Sequence, residues 1–256
     1  MIKKETEKFA SSNVFEGMTS ISSLLNCKCD NDRKIIKILY NEKKISSKRR
    51  EFDFLRHKSE EFGFELETVP FEEIEKYTIG SSHGGVIAFC SDRTLKELTP
   101  DCVVDDGFYF MLEGIEDPYN FGYSLRSLYA AGVNGIILPE RNWMGAAGVV
   151  ARASAGASEL IDMYTSTPEN LISVFRQKKY NIFCADLPNS VSLYSAKLKK
   201  PLLILVGGEK RGNSKFILDN SDQIVRIDYG REFGASLSAA SASAIIAFEV
   251  MRQNIK

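Results

Sequence analysis

The chain is poor in residues that would staple it, anchor it or hold a metal. Its 256 residues include five Cys, at 27, 29, 90, 102 and 184, an odd number without a C-x-x-C pair. That argues for reduced thiols and against a disulfide framework. Cys27 and Cys29 stand too close for a good zinc pair and no His cluster accompanies them, so no metal is expected. No apolar core follows Met1 to Glu5, and no run approaches the about 20 apolar residues of a membrane-crossing helix. A soluble cytoplasmic protein with no membrane partner is the expectation. The patterns G-x-G-x-x-G and G-x-x-x-x-G-K-S/T are both missing, which counts against a Rossmann oxidoreductase. No repeat or low-complexity tract occurs.

What is present suffices for two modest cores. Hydrophobic residues make up 44% of the chain, enough for one core of about 100 residues and another of about 150. The net charge of −1 hides a segregation: residues 1–60 carry 14 Lys and Arg against 9 acids, residues 61–120 carry 3 against 14, and residues 121–256 carry 16 against 11. Overall charge therefore argues against nucleic-acid binding, while local patches allow it. The strongest such patch is Lys43 to Arg50, K-K-I-S-S-K-R-R, which also fits a solvated loop and helix start; Lys210 and Arg211 form a smaller one.

Hydrophobic periodicity breaks between Thr99 and Gly107, at Pro100, Asp101, Asp105 and Asp106, which divides the chain into domains 1–103 and 104–256. In the first, an amphipathic opening (14–25), a strand (35–40), a charged helix (46–62) and a strand (64–69) are expected. In the second, strands near 108–115, 135–138, 160–164, 181–185, 202–206 and 224–227 alternate with helices that include 120–131, 168–179 and 236–253. Such alternation predicts an α/β fold, a parallel sheet flanked by helices.

Three segments of the second domain carry candidate chemistry. In D-P-Y-N-F-G-Y-S-L-R, Asn120 and Gly122 fall on a turn after the 108–115 strand and Arg126 on the following helix. Polar residues at the carboxyl end of a strand are where open α/β sheets bind ligands, although an ordinary capped turn has the same composition. In P-L-L-I-L-V-G-G-E, an apolar strand ends in Gly207 and Gly208, whose missing Cβ atoms admit a ligand or another backbone, and then Glu209. In the third, a short strand and a loop lead to Ser236, Leu237 and Ser238 and a small-residue helix, which also suits a helix–helix or dimer contact.

Together the three segments resemble the signature of the SpoU/TrmH group of the SPOUT superfamily, RNA ribose 2'-O-methyltransferases that use S-adenosylmethionine. N-x-G-x-x-x-R is matched by Asn120, Gly122 and Arg126, the strand ending in G-x-E by Gly207 and Glu209, and S-L-N by Ser236 and Leu237, with Ser238 replacing Asn. Ala153 to Ala157 resembles the family's A-S-x-G-A stretch. Lys210 replaces a common Gly, and the loop from Ile227 to Leu237 is about one residue longer than usual, by pattern spacing alone.

The resemblance implies a C-terminal trefoil knot, a homodimer through the C-terminal domain, and structured RNA as partner, ribosomal RNA ahead of transfer RNA. It also implies catalytic roles for Asn120, Arg126, Glu209 and Ser236, and S-adenosylmethionine held by Val206, Gly207, Gly208, Ile227, Leu237 and Ser238. The first domain resembles the family's RNA-binding domain, with Ser82-His83-Gly84-Gly85-Val86-Ile87-Ala88 where H-Q-G-V-x-A is common; His83 reads as a turn residue or an RNA contact. The alternative from another class is a non-catalytic RNA-binding dimeric scaffold of the same fold.

Overall fold

A computed structural model of the chain describes residues 13–78, 83–115, 117–140, 144–208 and 212–255. The chain forms two compact units, one of residues 1–94 with 143–160, the other of residues 95–142 with 161–256. In the first unit, β1 (Val14–Glu16), α1 (Gly17–Leu25), β2 (Ile35–Asn41), α2 (Arg49–Phe62), β3 (Glu65–Val69), α3 (Phe71–Glu75) and β4 (Val86–Cys90) build a four-stranded sheet of order β1-β4-β2-β3. Strand alternation decides its two faces. Ile38 and Tyr40 join Phe15, Ile21, Leu55 and Phe64 in one core, whereas Leu39 joins Val69, Ile74 and Ile87 in another. Gly63, with φ of 76°, ends α2 in the left-handed region and returns its N–H to the Ser59 carbonyl, a termination for which Gly is the natural residue.

The second unit opens with β5 (Lys96–Glu97), β6 (Phe108–Leu112), α4 (Pro118–Ala130) and β7 (Gly135–Leu138). The chain then contributes α5 (Ala147–Ala153) to the first unit. It resumes with β8 (Asp162–Thr165), α6 (Pro168–Gln177), β9 (Asn181–Ala185), β10 (Val191–Ser192), β11 (Leu202–Val206), α7 (Lys215–Asp219), β12 (Gln223–Arg226) and α8 (Ala239–Asn254). The eight strands follow the order β10-β12-β9-β11-β6-β7-β8-β5 and every pairing is parallel. β6 and β11, F-Y-F-M-L and L-L-I-L-V, are buried at every residue. Continuous apolar runs of this kind belong to central strands covered on both faces.

Two expectations about boundaries need correction. Lys96–Glu97 pairs with β8, and Leu98 and Val103 lie in the second unit's core, so the division falls at Thr94 rather than at 103. Residues 143–160, expected with the second domain, belong to the first unit. The reason is packing: Ala147 and Ala151, one helical turn apart, present small side chains to the core around Phe15 and Ile21.

A buried ion pair fastens this returning segment. Arg33 Nε donates to Glu159 Oε2 at 3.2 Å with both side chains essentially inaccessible, 0% and 1% exposed. Around it, Arg33 Nη1 donates to Asn13 Oδ1 (3.0 Å) and the Ser91 carbonyl (2.6 Å), Asn31 Nδ2 to Glu159 Oε2 (2.8 Å), and Ser158 Oγ to Glu159 Oε1 (3.1 Å). Among the described residues no helix is long and apolar enough to cross a membrane.

Candidate functional site

Because β6, β9, β11 and β12 run parallel, the loops that follow them emerge on one edge of the sheet, the edge where ligands bind in open α/β folds. The loops after β6 and β11 touch. Glu113 N donates to the Val206 carbonyl at 3.1 Å. A Cβ on Gly114 would lie 2.8 Å from the Gly208 Cα, so both positions demand Gly. Gly207 is spoken for as well: its Cβ would fall 2.4 Å from the Gly212 carbonyl carbon. Gly212 N closes the loop on the Gly208 carbonyl at 2.9 Å. The missing Cβ atoms thus admit backbone here, and a bulky residue at Gly207 would damage the loop itself. Glu209, with Lys210 and Arg211, lies outside the described residues.

Asn120 and Gly122, expected on a turn, are inside α4. Pro118 at its first position and Asp117 as cap start the helix two residues earlier; Asp117 Oδ2 accepts the Asn120 N–H at 2.9 Å. Gly122 is buried and Asn120 half-buried, whereas Arg126 is exposed and forms no ion pair among the described residues. Six helical residues separate Asn120 and Arg126 by about 9 Å along the axis and about a third of a turn. Tyr123, 49% exposed, shares the outer face with Arg126.

After β12, Ile227 and Leu237 are half-buried and Ser236 is exposed. Arg226 steadies this edge, donating to Asp228 Oδ1 at 2.9 Å and to the Ser190 carbonyl at 2.6 Å. The Ser192 hydroxyl and Arg226 hold the Asp228 carboxyl below the usual carboxylate range, so it stays ionised. The helix expected to open at 236 begins at Ala239. Ser238 is its cap, its Oγ accepting the Ser241 N–H at 3.2 Å. Ser and Asn serve about equally in that role, so the departure at Ser238 leaves the local structural task filled. The small residues of α8 pack against α4 within the chain, burying Ala239, Ser243, Ile246, Ala247 and Val250.

Sequence reading missed three parts of this edge. Gly114 is one. Asn213 is another: its Nδ2 reaches the Ala185 carbonyl (2.8 Å) and Asp186 Oδ2 (3.3 Å), tying the loop after β11 to the end of β9. The third is Tyr229, whose hydroxyl accepts the Leu237 N–H at 3.1 Å and whose ring lies 6.2 Å from that of Phe233. Only the glycine left a signal, in the short G-I-E-D-P stretch. In the first unit, His83 proves to be a turn residue: it is 0% exposed, its Nδ1 accepts the Gly85 N–H at 3.2 Å, and it stacks on Phe71.

This arrangement defines a parallel α/β domain with a polar site built from the loops after β6, β11 and β12. Residues 107–248 match the model of the SpoU rRNA methylase family. The chain belongs to that family. It is 30% identical to the 23S rRNA (guanosine-2'-O-)-methyltransferase RlmB of Shewanella oneidensis over 75% of this chain and 80% of that protein. It is 28% identical to the protein of the same name from Bordetella pertussis over 85% and 89%. The fold superposes on an AdoMet-bound rRNA methyltransferase of Sinorhizobium meliloti with a TM-score of 0.78 at 22% identity, covering 100% of this chain and 92% of that one.

Proposed function

We propose that the chain is an S-adenosylmethionine-dependent methyltransferase acting on a ribose 2'-hydroxyl of RNA, ribosomal RNA first. The observation that carries the reading is the junction of Gly114 with Gly208, which brings the Asn120–Arg126 helix start and the glycine-ended strand together on one sheet edge within the family match. Sequence relatives carry the name 23S rRNA (guanosine-2'-O-)-methyltransferase.

The residues fit a cofactor pocket at that edge: half-buried Gly207, Gly208, Ile227 and Leu237 offer backbone polar groups beside apolar side chains, and Val206 and Ser238 flank them. When bound, S-adenosylmethionine supplies a methyl group activated by its sulfonium charge. The chain's own groups then have to position the ribose and manage its proton. Arg126 stays protonated and cannot serve as a resting base; it holds the target phosphate and stabilises the developing alkoxide. Asn120 orients the ribose, a role its separation from Arg126 favours over orienting the guanidinium. Ser236, exposed on its loop, hydrogen-bonds the phosphate, and the family pattern assigns Glu209 to the same site.

The first unit binds the RNA through Lys43 to Arg50. There, among the described residues, the exposed Lys48 and Arg49 pair with the half-buried Glu51 and Asp53, and such pairs yield to phosphate. We also propose the family's trefoil knot and a homodimer through the second unit, supported by the exposed Tyr123, Tyr129 and Phe248 on α4 and α8. Sedimentation at micromolar concentration should give a dimer; a monomer would remove the interface. Mapping 2'-O-methyl sites on total RNA from cells with and without the gene tests the activity: a site lost with the gene supports it, and an unchanged map defeats it.

A further inference from the structure

Cys27 and Cys29 lie in the loop between α1 and β2, both partly exposed, with their Sγ atoms 2.9 Å apart. We propose that they form a thiol–disulfide exchange site whose substrate is a low-molecular-weight disulfide of the glutathione class. Bringing the sulfurs to the about 2.05 Å of a disulfide needs less than about 1 Å of movement, and the residues between α1 and β2 that must supply it belong to no helix or strand. The other thiols differ in kind. Burial pushes Cys90 and Cys184 up to about 12, so they remain protonated and out of reach. Cys102 shares a hydrogen bond with Thr99 Oγ1 and, among the described residues, meets no second thiol.

Cys29 donates its S–H to the Glu159 carbonyl at 3.2 Å and Cys27 donates to the Cys29 carbonyl at the longer 3.6 Å, so Cys27 is the less tightly held thiol and the attacking group. The Cys27 thiolate attacks the small disulfide, forming a mixed disulfide and releasing one small thiol. The Cys29 thiolate then attacks Cys27 Sγ and releases the second. In sum two protein thiols give up two electrons and two protons, and one small disulfide is reduced to two thiols. The product lacks the Cys29 S–H, so the Glu159 carbonyl gives up one of its ties and keeps the weaker one from Asn31 Nδ2 at 3.4 Å. Fastening of residues 158–159 thereby becomes sensitive to thiol redox state.

The test is to incubate the full chain with glutathione disulfide, block remaining thiols by alkylation and measure the mass before and after trypsin. The expected product is lighter than the parent by two hydrogen atoms, apart from alkyl groups on the other thiols, and carries none on Cys27 or Cys29. Trypsin cleaves after Lys28, so the Cys27 and Cys29 peptides should stay joined until dithiothreitol separates them. Cys29→Ser should instead retain one glutathione on Cys27, for want of a resolving thiol. Glutathione retained on Cys27 in the parent as firmly as in Cys29→Ser would overturn the proposal, as would a parent whose Cys27 and Cys29 react no more than Cys102.

Discussion

Gly114 and Gly208 meet with no room for a side chain: a Cβ on Gly208 would sit 3.0 Å from the Gly114 Cα, and one on Gly114 2.8 Å from the Gly208 Cα. Gly208→Ala should therefore push the loops after β6 and β11 apart, destabilising the protein by about 1–3 kcal/mol and weakening S-adenosylmethionine binding measured by calorimetry. Gly132→Ala is the control. At φ 81° with nothing within 4 Å of the added carbon, it should cost about 1 kcal/mol of stability and leave cofactor affinity unchanged.

Arg126 is exposed and unpaired among the described residues, so its removal should change stability by no more than about 0.5 kcal/mol. Arg126→Ala should nevertheless lower RNA methylation by orders of magnitude while cofactor affinity holds, because the interaction its guanidinium makes with the substrate strengthens in the transition state. Methylation at the parental rate would show that the guanidinium takes no part in the reaction.

Changing Lys48, Arg49 and Arg50 together to Ala should weaken RNA binding and reduce the slope of log affinity against log salt by up to about 3, roughly one for each phosphate no longer neutralised. An unchanged slope in a filter-binding titration would place the RNA elsewhere on the protein.

His83 gives a pH dependence whose sign is set by burial. Burial, with a smaller contribution from the Lys44 cation, lowers its pKa below 6.5 against the opposing pull of Glu16 and Glu75, so at neutral pH it is uncharged in the folded chain. Unfolding exposes a His that takes up a proton near pH 6.5. Between the folded value and 6.5 the unfolded state binds more protons, so His83's contribution is full above pH 6.5 and declines as pH falls below it. Urea unfolding at pH 7.5 and pH 5.5 should show the loss, and His83→Gln should flatten it.

The parallel sheet was legible because its central strands are uninterrupted apolar runs, Phe108–Leu112 and Leu202–Val206, each bounded by polar or glycine-rich segments. The segments that carry Asn120, Gly207 and Ser236 were legible for a related reason, since they follow strands whose ends are sharply marked. Helix starts were less so: Asp117 and Pro118 outrank Asn120 as start signals, and Ser238 caps a helix whose small-residue run reads as opening at 236. Long-range choices were invisible. Nothing local in Ala147–Ala153 says which core its alanines enter, and the Arg33–Glu159 pair joins positions 126 residues apart. The Tyr229 hydroxyl on the Leu237 amide has no sequence signature either.

The central claim is met most directly by incubating the purified chain with methyl-labelled S-adenosylmethionine and protein-free ribosomal RNA that lacks its natural methyl groups. A 2'-O-methyl group blocks alkaline cleavage of the adjoining phosphodiester, so alkali digestion reports the position of the label. Label in alkali-resistant dinucleotides with the parent chain, and its loss with Arg126→Ala, is the expected result. Label in mononucleotides would mean base methylation, and no label at all, with S-adenosylmethionine still bound, would contradict the account and leave an RNA-binding scaffold in its place.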